Sequence, residues 1–155
     1  MAVTTENFDD LRKRLVKMVT EISDIRDPRM KEVFRGFSDL TELLMFSLIK
    51  DRDNFFANIL IQMNRRIDYM LMAPAAVSFR RTYFDLQLNP FIMLMFSLSE
   101  MKAVLVHECY HILNEHLKRT FRIWKRYPRI IINLGCDVAI NQYINGLPQD
   151  RDWET

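Results

Sequence analysis

The chain has 155 residues, of which 49% are hydrophobic and 27% are charged, a composition typical of an ordinary globular domain. Its 22 Lys and Arg nearly balance its 20 Asp and Glu, so no strong global field draws the chain to nucleic acid or to a membrane. Only two cysteines and three glycines occur, which argues against a disulfide-stapled secreted scaffold and against a collagen-like or low-complexity chain.

The N-terminus has no features of a targeting segment. Residues 1–10 are polar and acidic, whereas a signal peptide is basic and then apolar. The longest apolar runs, residues 43–49 and 91–98, are much shorter than the roughly 20 residues that cross a bilayer. We therefore predict a cytoplasmic protein with no membrane partner, folded as a single domain over residues 1–155.

The pattern of apolar residues divides the chain into helical and β-rich parts. Apolar residues at three- and four-residue steps predict N-terminal helices within residues 5–50. Residues 55–89 form a β-rich region, in which we predict two or three strands, one of them at a sheet edge. The helical period then returns, and predicts helices over residues 99–120 and 130–145. The expected fold class is α+β, mainly helical with a small sheet.

The clearest chemical motif is His107-Glu108-Cys109-Tyr110-His111, an H-E-x-x-H sequence in an apolar helical context. Histidines four residues apart lie on one face of a helix, so their imidazoles can converge on one tetrahedral zinc ion. Glu108 lies about 100° further round the helix, where it can take a proton from water without ligating the metal. The alternative is a chance pair of core histidines, but all three histidines of the chain lie within ten residues.

A catalytic zinc usually has three protein ligands, so a third ligand must be found. His116 is the nearest candidate and is kept as an alternative ligand. If the helix continues, however, His116 lies about 180° from His107 and about 140° from His111, which argues against it.

Asp137 is the favoured third ligand. It shares a polar stripe with Asn133 and Asn141 on a helix that is otherwise apolar, where a carboxylate is costly unless it is paired or binds a metal. The alternative is an ion pair with Arg122 or Arg129. We assign the two asparagines to hydrogen bonding around the ligands.

The segments that carry these residues resemble the putative metallopeptidase domain of bacterial and phage proteins. The resemblance covers roughly residues 35–148 and is most specific at residues 105–113 and 133–141. It implies a zincin-like fold, in which an active-site helix bears H-E-x-x-H and a following helix supplies an acidic ligand. His116 and Asn141 match recurrent positions of that family. Its members often carry a neighbouring von Willebrand A-like domain, whose D-x-S-x-S motif does not occur in this sequence.

The sequence thus predicts a zinc-dependent hydrolase that acts on a peptide or protein substrate. His107, His111 and Asp137 are the predicted zinc ligands, and Glu108 is the predicted general base. An edge strand within residues 84–88 is expected to hold an extended substrate by β-augmentation.

Two alternatives stay open. One is a non-catalytic interaction module, or a subunit of a larger assembly, favoured by Met- and Phe-rich surfaces. The other is a nucleic-acid-associated hydrolase that uses the basic segment 118–129, where aromatic residues interleave with Lys and Arg. For that segment we expect the aromatic side chains to pack on the core and the cations to be solvated.

Overall fold

The computed structural model describes residues 7–51 and 54–148, and within them it contains seven helices and a three-stranded sheet. The elements in chain order are α1 (Phe8–Glu21), α2 (Met30–Lys50), α3 (Asn54–Ile61), β1 (Asn64–Ile67), β2 (Ala75–Arg80), β3 (Tyr83–Leu88), α4 (Pro90–Met93), α5 (Leu98–Leu113), α6 (His116–Phe121) and α7 (Arg129–Asn141). This arrangement confirms the α+β class.

The N-terminal helices α1 and α2 form an antiparallel pair that covers one side of the core. Asn7 caps α1 by accepting a hydrogen bond from the backbone of Asp10, 2.9 Å away. A glycine at position 36 allows the close approach of the two helices, since a Cβ there would lie only 2.6 Å from Cδ2 of the buried Leu15.

The sheet has the strand order β1-β3-β2, with β1 parallel and β2 antiparallel to β3. β2 and β3 form a hairpin whose turn contains Arg81 with a positive φ of 50°. The predicted edge strand within residues 84–88 is therefore wrong, because that segment is the central strand and both its edges are paired. β1 and β2 are the edge strands.

One part of the predicted strand region is helical. Asn54–Ile61 forms α3, whose buried residues Ala57 and Leu60 are three positions apart and face the core. The residues of this segment that pack against α2 and α5 recur at helical spacing. Their burial outweighs the β preference of the phenylalanines and isoleucines.

The main core lies between α2, the sheet and α5. Its members are aliphatic, aromatic or sulfur-containing side chains from these elements, from α1, and from residues 57–63 and 93–96. They include Leu11, Leu15, Phe37, Leu44, Leu48, Leu86, Phe96, Met101, Leu105 and Cys109. Each such fully buried side chain contributes about 1.5–3 kcal/mol of hydrophobic free energy, so the core fixes α5 firmly.

The predicted helix over residues 99–120 is in fact two helices. α5 begins with a capping box, in which Ser97 and Glu100 exchange hydrogen bonds, and ends at Leu113. Glu115 then adopts a left-handed conformation with φ 52° and ψ 30°, and α6 starts at His116. No helix within residues 7–51 and 54–148 combines the length and apolar character needed to cross a bilayer.

Candidate metal centre

Two helices bring the three predicted ligands together. α5 places His107 and His111 one turn apart on one face, and α7 packs beside it with Asp137 directed at both imidazoles. The two Nε2 atoms are 3.0 Å apart. Oδ1 of Asp137 lies 3.4 Å from Nε2 of His107 and 3.1 Å from Nε2 of His111. Asp137 thus contacts the two histidines, in place of the ion pair with Arg122 or Arg129 that we considered.

These separations fit a metal site. Tetrahedral zinc with ligands at about 2.0–2.2 Å places neighbouring donor atoms about 3.3–3.6 Å apart. The two imidazole nitrogens and the carboxylate oxygen are within a few tenths of an ångström of that spacing. Among the residues the structure describes, these three side chains form the one group of His, Cys, Asp and Glu suited to a metal ion.

The charges of the cluster also suit a cation. Burial tends to raise the pKa of Asp137, but hydrogen bonds with His107 and His111 outweigh it and hold the pKa well below its usual range. Burial tends to lower the pKa of His107, but Asp137 and the nearby Glu108 carboxyl raise it on balance. A carboxylate that stays ionised between two imidazoles is an anionic, partly enclosed donor set.

Glu108 lies beside the cluster, between α5 and β2. Its side chain is buried, and burial raises its pKa, while the two neighbouring histidines oppose that rise. The backbone N–H of Val77 on β2 hydrogen-bonds the carboxylate. The pattern of residues on α5 indicated Glu108, but no sequence signal indicated Val77, because a backbone donor carries no side-chain signature.

His116 is not where an unbroken helix would place it. The left-handed residue before it turns the chain back, so that His116 is buried with Nδ1 3.1 Å from Nδ1 of His111. Burial, followed by the neighbouring His111 and Arg119, lowers the pKa of His116. Our prediction of the position of His116, which assumed an unbroken helix, was therefore wrong. Its contact is nevertheless with the nitrogen of His111 that faces away from Asp137.

The two asparagines of the predicted polar stripe differ in their surroundings. The side chain of Asn141 lies near His107 and contributes, less than Asp137 and Glu108, to the higher pKa of that imidazole. Both asparagines are exposed, but Asn133, one turn before Asp137, makes no such contribution to His107. The structure thus brings Asn141, but not Asn133, to a candidate ligand.

The aromatic residues of the basic segment 118–129 do not pack on the core, contrary to our expectation. Phe121 is 67% exposed and Trp124 is 37% exposed. Their rings stack at 5.3 Å, and the guanidinium of Arg129 lies 4.6 Å from the centre of the Trp124 ring. Cation–π contact and ring stacking take the place of core packing for these side chains, which belong to neither hydrophobic core cluster.

The residues of this site lie within a segment that matches a known protein family. Residues 45–148, more than half of the chain, match the model of a family described as "Putative metallopeptidase domain". The chain belongs to this family. Membership of the putative metallopeptidase domain family indicates a metal-dependent hydrolase, and the matched residues include both helices of the His/His/Asp cluster. Comparisons with curated proteins and with solved structures gave no significant match.

Proposed function

We propose that this protein is a zinc-dependent peptidase with a zincin-like site. The observation that carries the proposal is the convergence of His107, His111 and Asp137 from two helices, with donor atoms 3.0–3.4 Å apart. Helix α5 provides the H-E-x-x-H pair, and α7 provides the acidic third ligand.

The donor set favours zinc over harder or softer metals. Two imidazole nitrogens and one carboxylate oxygen are ligands of catalytic zinc, whereas calcium and magnesium prefer oxygen ligands alone. The thiols are not part of the donor set, because Cys109 is fully buried in the core and Cys136 is not among the three converging side chains. Three protein ligands leave a fourth position of a tetrahedron for water or substrate.

Glu108 is the proposed general base. A zinc ion held by His107, His111 and Asp137 would supply Lewis acidity to a peptide carbonyl and would acidify water. Glu108 accepts the proton of the attacking water on its carboxylate and delivers it to the leaving amine. The Val77 N–H orients this carboxylate, and burial, which raises the pKa of Glu108, brings its basicity nearer to neutral pH.

Edge strand β2 replaces the segment 84–88 as the proposed binding strand for an extended substrate. The N–H of Asn89 donates to the carbonyl of Pro74 at 3.0 Å, where β2 and β3 begin to pair. Ladder bonds alternate along an antiparallel pair, so Ala75, Val77 and Phe79 direct their backbone groups away from β3. The N–H of Val77 serves Glu108, which leaves the backbone groups of Ala75 and Phe79 and the carbonyl of Val77 for a substrate. This outer edge lies beside Glu108, and a peptide added there would run past the metal cluster.

The proposal is tested by measuring zinc content and peptide cleavage of the same preparations. Wild-type protein, treated with chelator and then given zinc, should retain about one ion and cleave an unstructured protein such as casein. Glu108→Gln should retain zinc and lose cleavage, which also controls for contaminating peptidases. Absence of bound zinc in the wild type rejects the metal site. Cleavage that survives in Glu108→Gln rejects the assigned mechanism.

A second candidate, a non-catalytic interaction module, is favoured by the surface of α7. Four large aliphatic residues of this helix are exposed, an unusual arrangement for a helix of a monomer. They are Ile130, Ile131, Leu134 and Val138. Under this alternative the wild type binds zinc and cleaves no peptide substrate.

The nucleic-acid alternative is supported by one observation, the exposed stack of Phe121, Trp124 and Arg129 in segment 118–129. Exposed rings beside cations can stack on unpaired bases. Salt-dependent binding of a single-stranded oligonucleotide, lost in Phe121→Ala, would favour it, whereas no binding at low salt would reject it.

A further inference from the structure

The break between α5 and α6 places the third histidine against a proposed ligand. In an unbroken helix, residues five apart lie on opposite faces. Here Glu115 takes up a left-handed conformation, which a residue other than glycine rarely adopts. The chain turns back, and His116 becomes buried at 8% exposure.

His116 contacts Nδ1 of His111, the ring nitrogen that does not face the metal cluster. Nε2 of His111 faces Nε2 of His107 and Oδ1 of Asp137, at 3.0 and 3.1 Å. Nδ1 of His111 faces Nδ1 of His116 at 3.1 Å, with the two rings edge to face. His111 therefore has a partner on each side of its ring.

A metal ion bound at Nε2 of His111 would define the protonation of both rings. A neutral imidazole that offers the lone pair of Nε2 to a metal carries its proton on Nδ1. That proton of His111 can be donated to Nδ1 of His116, provided that His116 carries its own proton on Nε2. By contrast, Nδ1 of His107 is buried with no hydrogen-bond partner among the described residues. Of the two proposed histidine ligands, His111 therefore has a hydrogen-bond partner at Nδ1, and His107 has none among the described residues.

We propose that His116 is a positioning residue, which accepts the Nδ1 proton of His111 and so holds Nε2 of His111 in the orientation and tautomer that bind zinc. This inference rests on the proposed zinc site. The role of His116 differs from that of the proposed ligands, because its Nδ1 lies on the side of His111 away from Asp137. Hydrogen-bond partners behind a metal-binding histidine commonly improve metal affinity about 10- to 100-fold.

The test is zinc affinity, measured by competition with a chromogenic chelator and without any assay of catalysis. His116→Phe removes the acceptor and should weaken zinc binding about 10- to 100-fold. His116→Asn can place an amide oxygen near the position of Nδ1 and should recover most of that loss. Thr120→Val is the matched control, because it removes the hydrogen bond from Thr120 Oγ1 to the carbonyl of His116 and leaves the ring intact. It should bind zinc like the wild type.

A mutation-free measurement covers the case in which a variant fails to fold. Two-bond ¹H–¹⁵N correlation spectra of the zinc-loaded wild type should show His111 protonated on Nδ1 and His116 protonated on Nε2. His116→Phe binding zinc as tightly as the wild type would overturn the proposal. Loss of zinc as complete as in His107→Ala, without rescue by asparagine, would make His116 a ligand and also overturn it. A wild type that binds no zinc would instead reject the proposed function.

Discussion

The donor cluster is organised at the level of single atoms. Oδ1 of Asp137 accepts hydrogen bonds from both imidazoles, which keeps the carboxylate ionised and fixes the direction of both rings. Nothing in this arrangement requires a large rearrangement to receive a cation, since the three donor atoms already have the spacing of zinc ligands.

Asp137 is therefore expected to contribute directly to metal affinity. Asp137→Ala removes one of three proposed ligands and should weaken zinc binding by more than about 100-fold, beyond the usual effect of a residue behind a ligand. Asn133→Ala is the matched control on the same helix face, and should leave affinity near the wild-type value because Asn133 is exposed. Chelator competition measures both variants. Equal affinities for Asp137→Ala and the wild type would remove Asp137 from the site.

The two cysteines should differ sharply in reactivity. Cys109 is fully buried, and burial raises the pKa of its thiol to about 12, whereas Cys136 is only half-buried. Iodoacetamide at pH 8 should alkylate Cys136 in the folded protein and reach Cys109 only on unfolding, since the thiolate is the reactive form. Peptide mass mapping checks this order. Rapid modification of Cys109 in the native protein would show that α5 is not packed as described.

At the scale of elements, α5 combines packing in the core with the proposed chemistry. Its N-terminal half contributes Met101 and Leu105 to the core, and its C-terminal half carries the two histidines. The position of the site is thus set by the burial of one end of the same helix.

The capping box should contribute measurably to this helix. Ser97→Ala removes the side-chain acceptor for the N–H of Glu100 and should lower the free energy of unfolding by about 1 kcal/mol. Urea denaturation followed by circular dichroism measures the change. Ser38→Ala is a suitable control, because that serine lies mid-helix in α2 and donates to the carbonyl of Phe34. It should have little effect, and an equal loss in both variants would argue against the cap.

At the scale of the whole molecule, the proposed ion joins two helices that are packed very differently. α5 belongs to the core, whereas only Ile132 and Ile140 of α7 are buried. A ligand shared by both helices would stabilise the folded state by mass action, by about 4 kcal/mol at a zinc concentration 1,000 times its dissociation constant.

Zinc should accordingly protect α7 more than the rest of the fold. Hydrogen–deuterium exchange with and without zinc should show the largest slowing in residues 129–141 and little change in α2, which the core already holds. His107→Ala should show no zinc-dependent slowing. Uniform protection of every element, or none in α7, would contradict a bridge between α5 and α7.

Local sequence patterns determined most of the elements and the composition of the site. Apolar residues at helical spacing predicted α1, α2, the start of α5 and α7, because burial of one helix face imposes that spacing. The spacing of His107 and His111 and the lone carboxylate of Asp137 indicated the cluster, and the structure brings all three together. Their role as zinc ligands stays a prediction.

Only the tertiary structure decided how distant segments meet. The strand order β1-β3-β2, the outer edge of β2 beside Glu108 and the contact of the Val77 N–H depend on which distant strands and helices meet, and the local spacing of apolar residues does not encode that. The turn at Glu115 is likewise decided by tertiary contacts. A left-handed residue is locally unfavourable, and it is retained here where the turn buries His116 against His111.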